Sequence, residues 1–165
     1  MSDSDRPAAI LTGASGGIGL AVARMLGEEG FALTVAGRNP AKLDAAAAEL
    51  RAAGVDARPC IADLRHEDDI QRLVLAHRDQ FGRLDLLVNN AGVALSAKTG
   101  EVSTEDLDQQ LQLNLRATIL LYRETLDLLL EAADRHGRAA VVNVASITGR
   151  HPVPWLAAYS ATKAG

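Results

Sequence analysis

Residues 8–19 read Ala8-Ala9-Ile10-Leu11-Thr12-Gly13-Ala14-Ser15-Gly16-Gly17-Ile18-Gly19. A short apolar run breaks at glycines, and beyond them Ile18, Val22 and Met25 recur at helical spacing until Gly30. This is a buried strand turning directly into a helix. The same alternation continues outward along the chain. Apolar runs at 32–36, 55–61, 84–88 and 139–145 read as further strands. Between them, Asn39-Pro40 opens an alanine-rich helix that ends at Ala53-Gly54. Ile70, Leu73, Val74 and His77 mark a third helix closed near Gly82, and Ser103 with Asp106 starts a long one running towards Arg135 and Gly137. The strand runs are apolar throughout rather than alternating, which predicts burial on both faces. The fold class is therefore α/β, a doubly wound parallel sheet with five strands. No repeat, low-complexity tract or linker divides residues 1–165, so they form one domain.

Composition narrows the function classes. The 165 residues are 48% hydrophobic and 23% charged, an ordinary globular balance. Only 3% are aromatic, so the core is built from Leu, Val, Ile and Ala. Seventeen basic against 21 acidic residues give a net charge of −4, which argues against nucleic acid and acidic membrane surfaces as partners. Cys60 is the single cysteine, excluding an internal disulfide and any multi-cysteine zinc site. His66, His77, His136 and His151 show no paired ligand spacing, so no metal is expected; His77 reads as helix surface and His151 as a loop residue near the pocket. Residues 1–7 carry two acids and no cationic, apolar leader. The apolar stretches at 117–122 and 126–130 fall far below the ~20 residues that span a bilayer. A cytoplasmic protein acting on a small molecule is expected.

The glycines after the first strand have a chemical reading. A tight turn there lets backbone approach a pyrophosphate, and the free N–H groups and positive dipole at a helix N-terminus favour phosphate. No Gly-Lys-Ser/Thr follows, which excludes a phosphate-transferring loop. The end of the second strand then separates the dinucleotides. An acid about 20 residues on would take the ribose 2′-OH of NAD, whereas an arginine accommodates a 2′-phosphate. The segment reads Val35-Ala36-Gly37-Arg38-Asn39. Arg38, with Ser15 adding a hydrogen bond, predicts NADP(H) over NAD; the plainer alternative is a solvated charge beside a helix start.

Taken together, these residues resemble the short-chain dehydrogenase/reductase family in its single-domain branch, which has the Rossmann fold. The resemblance rests on Thr12-Gly-x-x-x-Gly17-x-Gly19, Asn89-Asn90-Ala91-Gly92 after the fourth strand, and Asn114 in the long helix. It is completed by Ser146, thirteen residues before Tyr159, and by Tyr159-Ser-Ala-Thr-Lys163. Members similar to bacterial 3-oxoacyl-carrier-protein reductases match best. The resemblance implies cofactor contacts at Gly13, Ser15, Gly17, Ile18, Gly19, Arg38, Asp63, Leu64, Asn89, Ala91, Gly92, Tyr159 and Lys163. Asn89 would be the principal polar contact at the adenosine end. Asp63-Leu64 would border the adenine ring, although Asp63 reads equally as the N-cap of the third helix.

Tyr159 and Lys163 are four apart, which puts both on one face of a helix. An ammonium beside a phenol favours the phenolate, moving tyrosine towards general acid/base work. The resemblance implies catalytic roles for Asn114, Ser146, Tyr159 and Lys163 in hydride transfer between a carbonyl and a secondary alcohol. Ser146 would hold the substrate oxygen against Tyr159. Asn114 would mark a helix bulge whose carbonyl holds a water linking Lys163 to solvent; otherwise it is a polar residue on a solvated face.

The sequence ends two residues after Lys163, and only five strands precede it, against six in the full doubly wound order. Residues 1–165 are therefore expected to be a dinucleotide-binding domain incomplete at its C-terminus. Two readings stay open: a piece of an active reductase, or a catalytically incompetent remnant serving as a cofactor-binding or interaction module. The resemblance implies homo-oligomers for full-length members, commonly pairing the long helix with the helix beginning at Tyr159, and that second surface is largely missing here; the substrate is not named by residues 147–156.

Overall fold

The computed structural model describes residues 6–165; the leaderless reading of the N-terminus rests largely on residues 1–5, outside that range. Five parallel strands form one sheet in the order β3-β2-β1-β4-β5: β1 Ala8–Thr12, β2 Ala32–Gly37, β3 Ala57–Ile61, β4 Leu86–Asn89 and β5 Ala140–Asn143. Helices α1 (Gly17–Glu28), α2 (Pro40–Ala52), α3 (Glu67–Phe81), α4 (Thr104–Gln110), α5 (Ala117–His136) and α6 (Ala157–Ala164) connect and cover it. This is the expected doubly wound, Rossmann-like architecture.

Two cores follow from the period of two along a strand. Ala9 and Leu11 of β1 pack with Leu33, Val35, Leu43 and Leu50 on the side covered by α1 and α2. Ile10 points the other way, joining Leu73, Leu87, Leu121 and Leu128 under α3 and α5. The chain winds outward from β1 to β3, then returns to β4 beside β1. That reversal opens a crevice at the carboxyl ends of β1 and β4, where ligands of such sheets bind.

Local signals mostly hold. Asn39 Oδ1 accepts a hydrogen bond from Lys42 N at 3.0 Å and caps α2. Ser103 Oγ does the same for Asp106 N, also at 3.0 Å, and caps α4. Gly82 and Gly137 end α3 and α5 in the left-handed conformation.

Four expectations need correction. Burial on both faces holds for β1 but fails at the sheet edges: β3 exposes Arg58 and Ile61, and β5 exposes Ala140, Val142 and Asn143. Pro59, which lacks an N–H, is tolerated in β3 because the strand is an edge. In α1 the fully buried residues are Gly19 and Ala23, with Leu20, Val22 and Leu26 packed partly buried against the same core, while Ile18 and Met25 are 66% and 65% exposed. The long helix is interrupted by a π-helical segment, Leu111–Arg116, between α4 and α5. Finally, His77 is fully buried rather than on a helix surface. Its Nε2 lies 2.9 Å from the Arg83 carbonyl, which can only accept, so Nδ1 takes the Thr34 hydroxyl hydrogen at 2.8 Å. Burial pushes the imidazole down to about 4, against smaller opposing effects of the Arg83 carbonyl and Asp85.

Candidate active site

The crevice is built by cross-ties between β1 and β4. Thr12 Oγ1 donates to the Val88 carbonyl at 3.3 Å and accepts from the N–H groups of Asn90 and Ala91 at 3.0 and 3.1 Å. Asn90 Nδ2 returns bonds to the carbonyls of Thr12 and Gly13 at 3.0 and 3.1 Å. The chain therefore leaves β1 with no room for a side chain at Gly13 or Gly19. Gly13 has φ +67°, and a Cβ there would stand 2.9 Å from Ala91 Cα. A Cβ on Gly19 would collide with the Gly13 carbonyl, so the first turn of α1 presses directly on the loop. No side chain caps α1 and its first turn holds no acid, leaving the positive helix end open to an anion.

Beside this turn lies a cleft of about 300 Å³ lined by Gly13, Ser15, Arg38, Asp63, Leu64, Ala91 and Gly92. It gathers residues from the ends of β1, β2, β3 and β4, as the sequence predicted. Gly17, Ile18 and Gly19 stand at the start of α1, outside the lining. Arg38 is exposed and makes no ion pair among the described residues. Asp63 is not the N-cap of α3, a position held by His66. Its carboxylate is instead taken by Arg65, whose Nε donates at 2.9 Å, and that bond leads in drawing the Asp63 pKa down to about 2. The acid of the cleft is thus matched by its own cation, and the Arg38 guanidinium is left for a ligand. Glycine backbone that admits no Cβ, an open helix end and a free guanidinium together fit a phosphate-bearing dinucleotide.

A second group of residues meets at the ends of β4, β5 and α6. Tyr159 and Lys163 lie one turn apart on α6, with Nζ 5.9 Å from the ring centroid. Nζ donates to the Val144 carbonyl at 2.7 Å, and burial lowers the Lys163 pKa. Ser146 Oγ accepts from Thr148 N at 3.2 Å and from Thr148 Oγ1 at 2.9 Å, capping a short 3-10 turn, Ile147–Gly149. Because it accepts twice, its own hydrogen is free to be donated. Gly149 carries that turn against α6: a Cβ would strike the Lys163 backbone.

Asn114 ties the two groups together. It is buried within the π segment, which removes the solvated-face alternative and bears out a local bulge. Its side chain does the joining. Oδ1 accepts from Val93 N and Nδ2 donates to the Val93 carbonyl, both at 2.8 Å. Nδ2 also donates to Thr162 Oγ1 at 3.0 Å, and that hydroxyl donates to the Tyr159 carbonyl at 2.8 Å. Gly92 closes the approach, since a Cβ there would sit 3.2 Å from Asn114 Oδ1 and 3.6 Å from Lys163 Nζ.

Asn89 departs from its expected place. It is absent from the cleft lining; its Nδ2 donates to Asn143 Oδ1 at 2.8 Å, and its buried Oδ1 has no partner. It lines a separate cavity of about 440 Å³ with Asn114, Tyr122 and Lys163. Sequence reasoning missed Thr12, Asn90 and Thr162, although all three lie inside or beside the quoted motifs. Gln110 was also missed, and its signal was position: it is polar and stands four before Asn114. Among the described residues no group of three or more His, Cys, Asp or Glu side chains is placed to hold a metal, and no helix is long and apolar enough to cross a membrane.

With this geometry in place, the likenesses to known proteins are specific. The family model for short chain dehydrogenases matches residues 7–165. An uncharacterized oxidoreductase of Staphylococcus epidermidis is 34% identical over 164 residues, covering 99% of this chain and 68% of that protein. One from Staphylococcus aureus is 34% identical over 156 residues, covering 94% and 65%. Among solved structures, a variant of actinorhodin polyketide ketoreductase with NADPH superposes with TM-score 0.93 at 36% identity, covering all of this chain and 62% of that one. A metagenomic short-chain oxidoreductase in complex with NADP gives 0.86 at 36% identity, covering 95% and 70%. The chain belongs to the short-chain dehydrogenase/reductase family of oxidoreductases. It spans about two thirds of the length of these relatives.

Proposed function

We propose that residues 1–165 are the cofactor-binding domain of an NADP(H)-dependent oxidoreductase that interconverts a carbonyl and a secondary alcohol. The observation that carries this reading is the Asn114 amide, which holds Tyr159's helix against the loop that lines the glycine cleft. Gly13, Ser15 and Arg38 would hold the phosphate-bearing end of the dinucleotide, with Asp63 and Leu64 beside its base. When bound, the dinucleotide supplies or accepts the hydride. The remaining chemistry belongs to the chain. Ser146 Oγ donates its free hydrogen to the substrate oxygen and steadies negative charge that develops there. Tyr159 gives a proton to that oxygen in reduction and takes it back in oxidation. Lys163, partly buried between Val144 and the Tyr159 ring, places its charge beside the phenol. Preference for NADP(H) is supported by the unpaired Arg38 and by the NADP(H) complexes of the two structural neighbours.

The test is oxidation of NADPH with a panel of ketones, comparing the protein with Tyr159→Phe. Loss of the proton donor should lower turnover roughly a hundredfold or more; turnover unchanged by Tyr159→Phe refutes the assignment.

A further inference from the structure

Residues 91–98, after β4, belong to no regular element, yet their exposure alternates strictly: 91, 93, 95 and 97 are half-buried, while 92, 94, 96 and 98 are exposed. That is the period of an extended strand. No strand pairs with it among the described residues. Its inward N–H groups are taken instead by three different partners at every second residue. Val93 N donates to Asn114 Oδ1 at 2.8 Å, Leu95 N to Gln110 Oε1 at 3.2 Å, and Ala97 N to the Trp155 carbonyl at 2.9 Å. Gln110 is completely buried, and its Nε2 donates to the Asp106 carbonyl at 3.2 Å, so both ends of its amide are used. The match is geometric. Gln110 and Asn114 stand about one turn apart across the start of the π segment and two extended residues advance ~6.6 Å, so amides at 110 and 114 meet N–H groups at 95 and 93.

The outward side of this segment has opposite properties. Gly92, Ala94 and Ser96 present a hydrogen, a methyl and a hydroxymethyl group, and Ala94 and Ser96 make no hydrogen bond among the described residues. Gly92 lies against Lys163, and the far end of the segment is tied to the loop that leads into Tyr159. We propose that Gln110 is a positioning residue: with Asn114 it holds residues 92–97 as a straight, small-sided wall along which the carbonyl substrate lies beside Tyr159. The substrate part of this inference rests on the oxidoreductase reading above. Buried amides are costly unless paired, so a glutamine at this apolar position is explained by the main chain it fixes.

The experiment compares wild type, Gln110→Met, which keeps the volume and loses the amide, and Gln110→Glu, which keeps the acceptor. Amide hydrogen exchange is read first, without substrate. Gln110→Met should speed exchange at Leu95 about tenfold and leave Val93 protected by Asn114, and Gln110→Glu should restore it. On the same proteins, with cyclohexanone, α-tetralone and ethyl acetoacetate as probes, Gln110→Met should raise KM for the ketone at least about threefold, with KM for NADPH unchanged. Unaltered exchange at Leu95, equal loosening of Val93 and Leu95, or parallel changes in both KM values would overturn the proposal. Failure of wild type to reduce any ketone would count against the oxidoreductase reading alone, because the exchange measurement still judges the segment.

Discussion

Arg38→Ala should cost NADPH binding and spare NADH. Arg38 lines the cleft, is exposed, and has no carboxylate partner, so its guanidinium meets a phosphate without first breaking an ion pair. Asp63, which lines the same cleft, is held by Arg65 and does not compete for it. A charge-assisted hydrogen bond is worth about 1.5–3 kcal/mol when sheltered. At an exposed site, screening by salt reduces that to about 1–2 kcal/mol, or roughly a 5- to 30-fold rise in Kd. Titration of wild type, Arg38→Lys and Arg38→Ala with NADPH and NADH, by fluorescence at two ionic strengths, measures this directly. The lysine keeps the charge but loses the planar fork, so it should fall between the other two. The penalty should shrink as salt rises. Equal NADPH affinity in wild type and Arg38→Ala, or an equal loss for both nucleotides, would refute the assignment of Arg38 to a 2′-phosphate.

Four further outcomes follow from the packing. His77 resists protonation down to about pH 4 in the native state but titrates near 6.5 when unfolded, so stability is complete above pH 6.5 and is lost as pH falls towards 4. The loss is roughly 3 kcal/mol, and urea midpoints across that range should flatten in His77→Gln. Gly19→Ala forces a methyl into the Gly13 carbonyl and should destabilise by about 1–3 kcal/mol while weakening NADPH binding. Gly100→Ala, which meets nothing within 4 Å, should stay within about 0.5 kcal/mol in the same denaturation assay. Trp155 has φ +66° and is 62% exposed, so Trp155→Asn, better suited to that backbone, should raise stability by about 1 kcal/mol; an unchanged or lower melting temperature would contradict this.

The sheet was legible where burial is symmetrical. Four of β1's five residues are apolar because both of its faces are packed, and β2 and β4 flank it for the same reason. The edges broke the rule for different causes: β3 carries Arg58 and Pro59 in plain view, while β5 is apolar yet exposed. In α1 periodicity found the inward stripe only in part: Val22 packs on the core with Leu20 and Leu26, whereas Ile18 and Met25 are exposed. Close approach of a helix to a glycine turn demands the smallest residues, so the fully buried positions are Gly19 and Ala23, which a hydrophobic scale ranks below their larger neighbours.

The site divides along the same line. Residues proposed to act through backbone or charge, Gly13 and Arg38 among them, could be named from type and position, because turn geometry and phosphate charge leave few alternatives. Asp63 remained open between two roles because its partner, Arg65, is local and either role is compatible with the sequence. Residues that act by joining segments were harder. Asn114, Gln110 and Thr162 each bond main chain or a side chain distant in sequence, and no one-dimensional spacing encodes where Val93 or Leu95 will lie. Burial supplies the missing rule. An amide on the inward side of a helix is unstable there unless it replaces a lost partner of some other backbone. Gln110 and Asn114, one helical step apart, therefore indicate an adjoining extended segment even before that segment is identified. The same reasoning turns His77 from an apparent surface residue into a buried tie between Thr34 and Arg83.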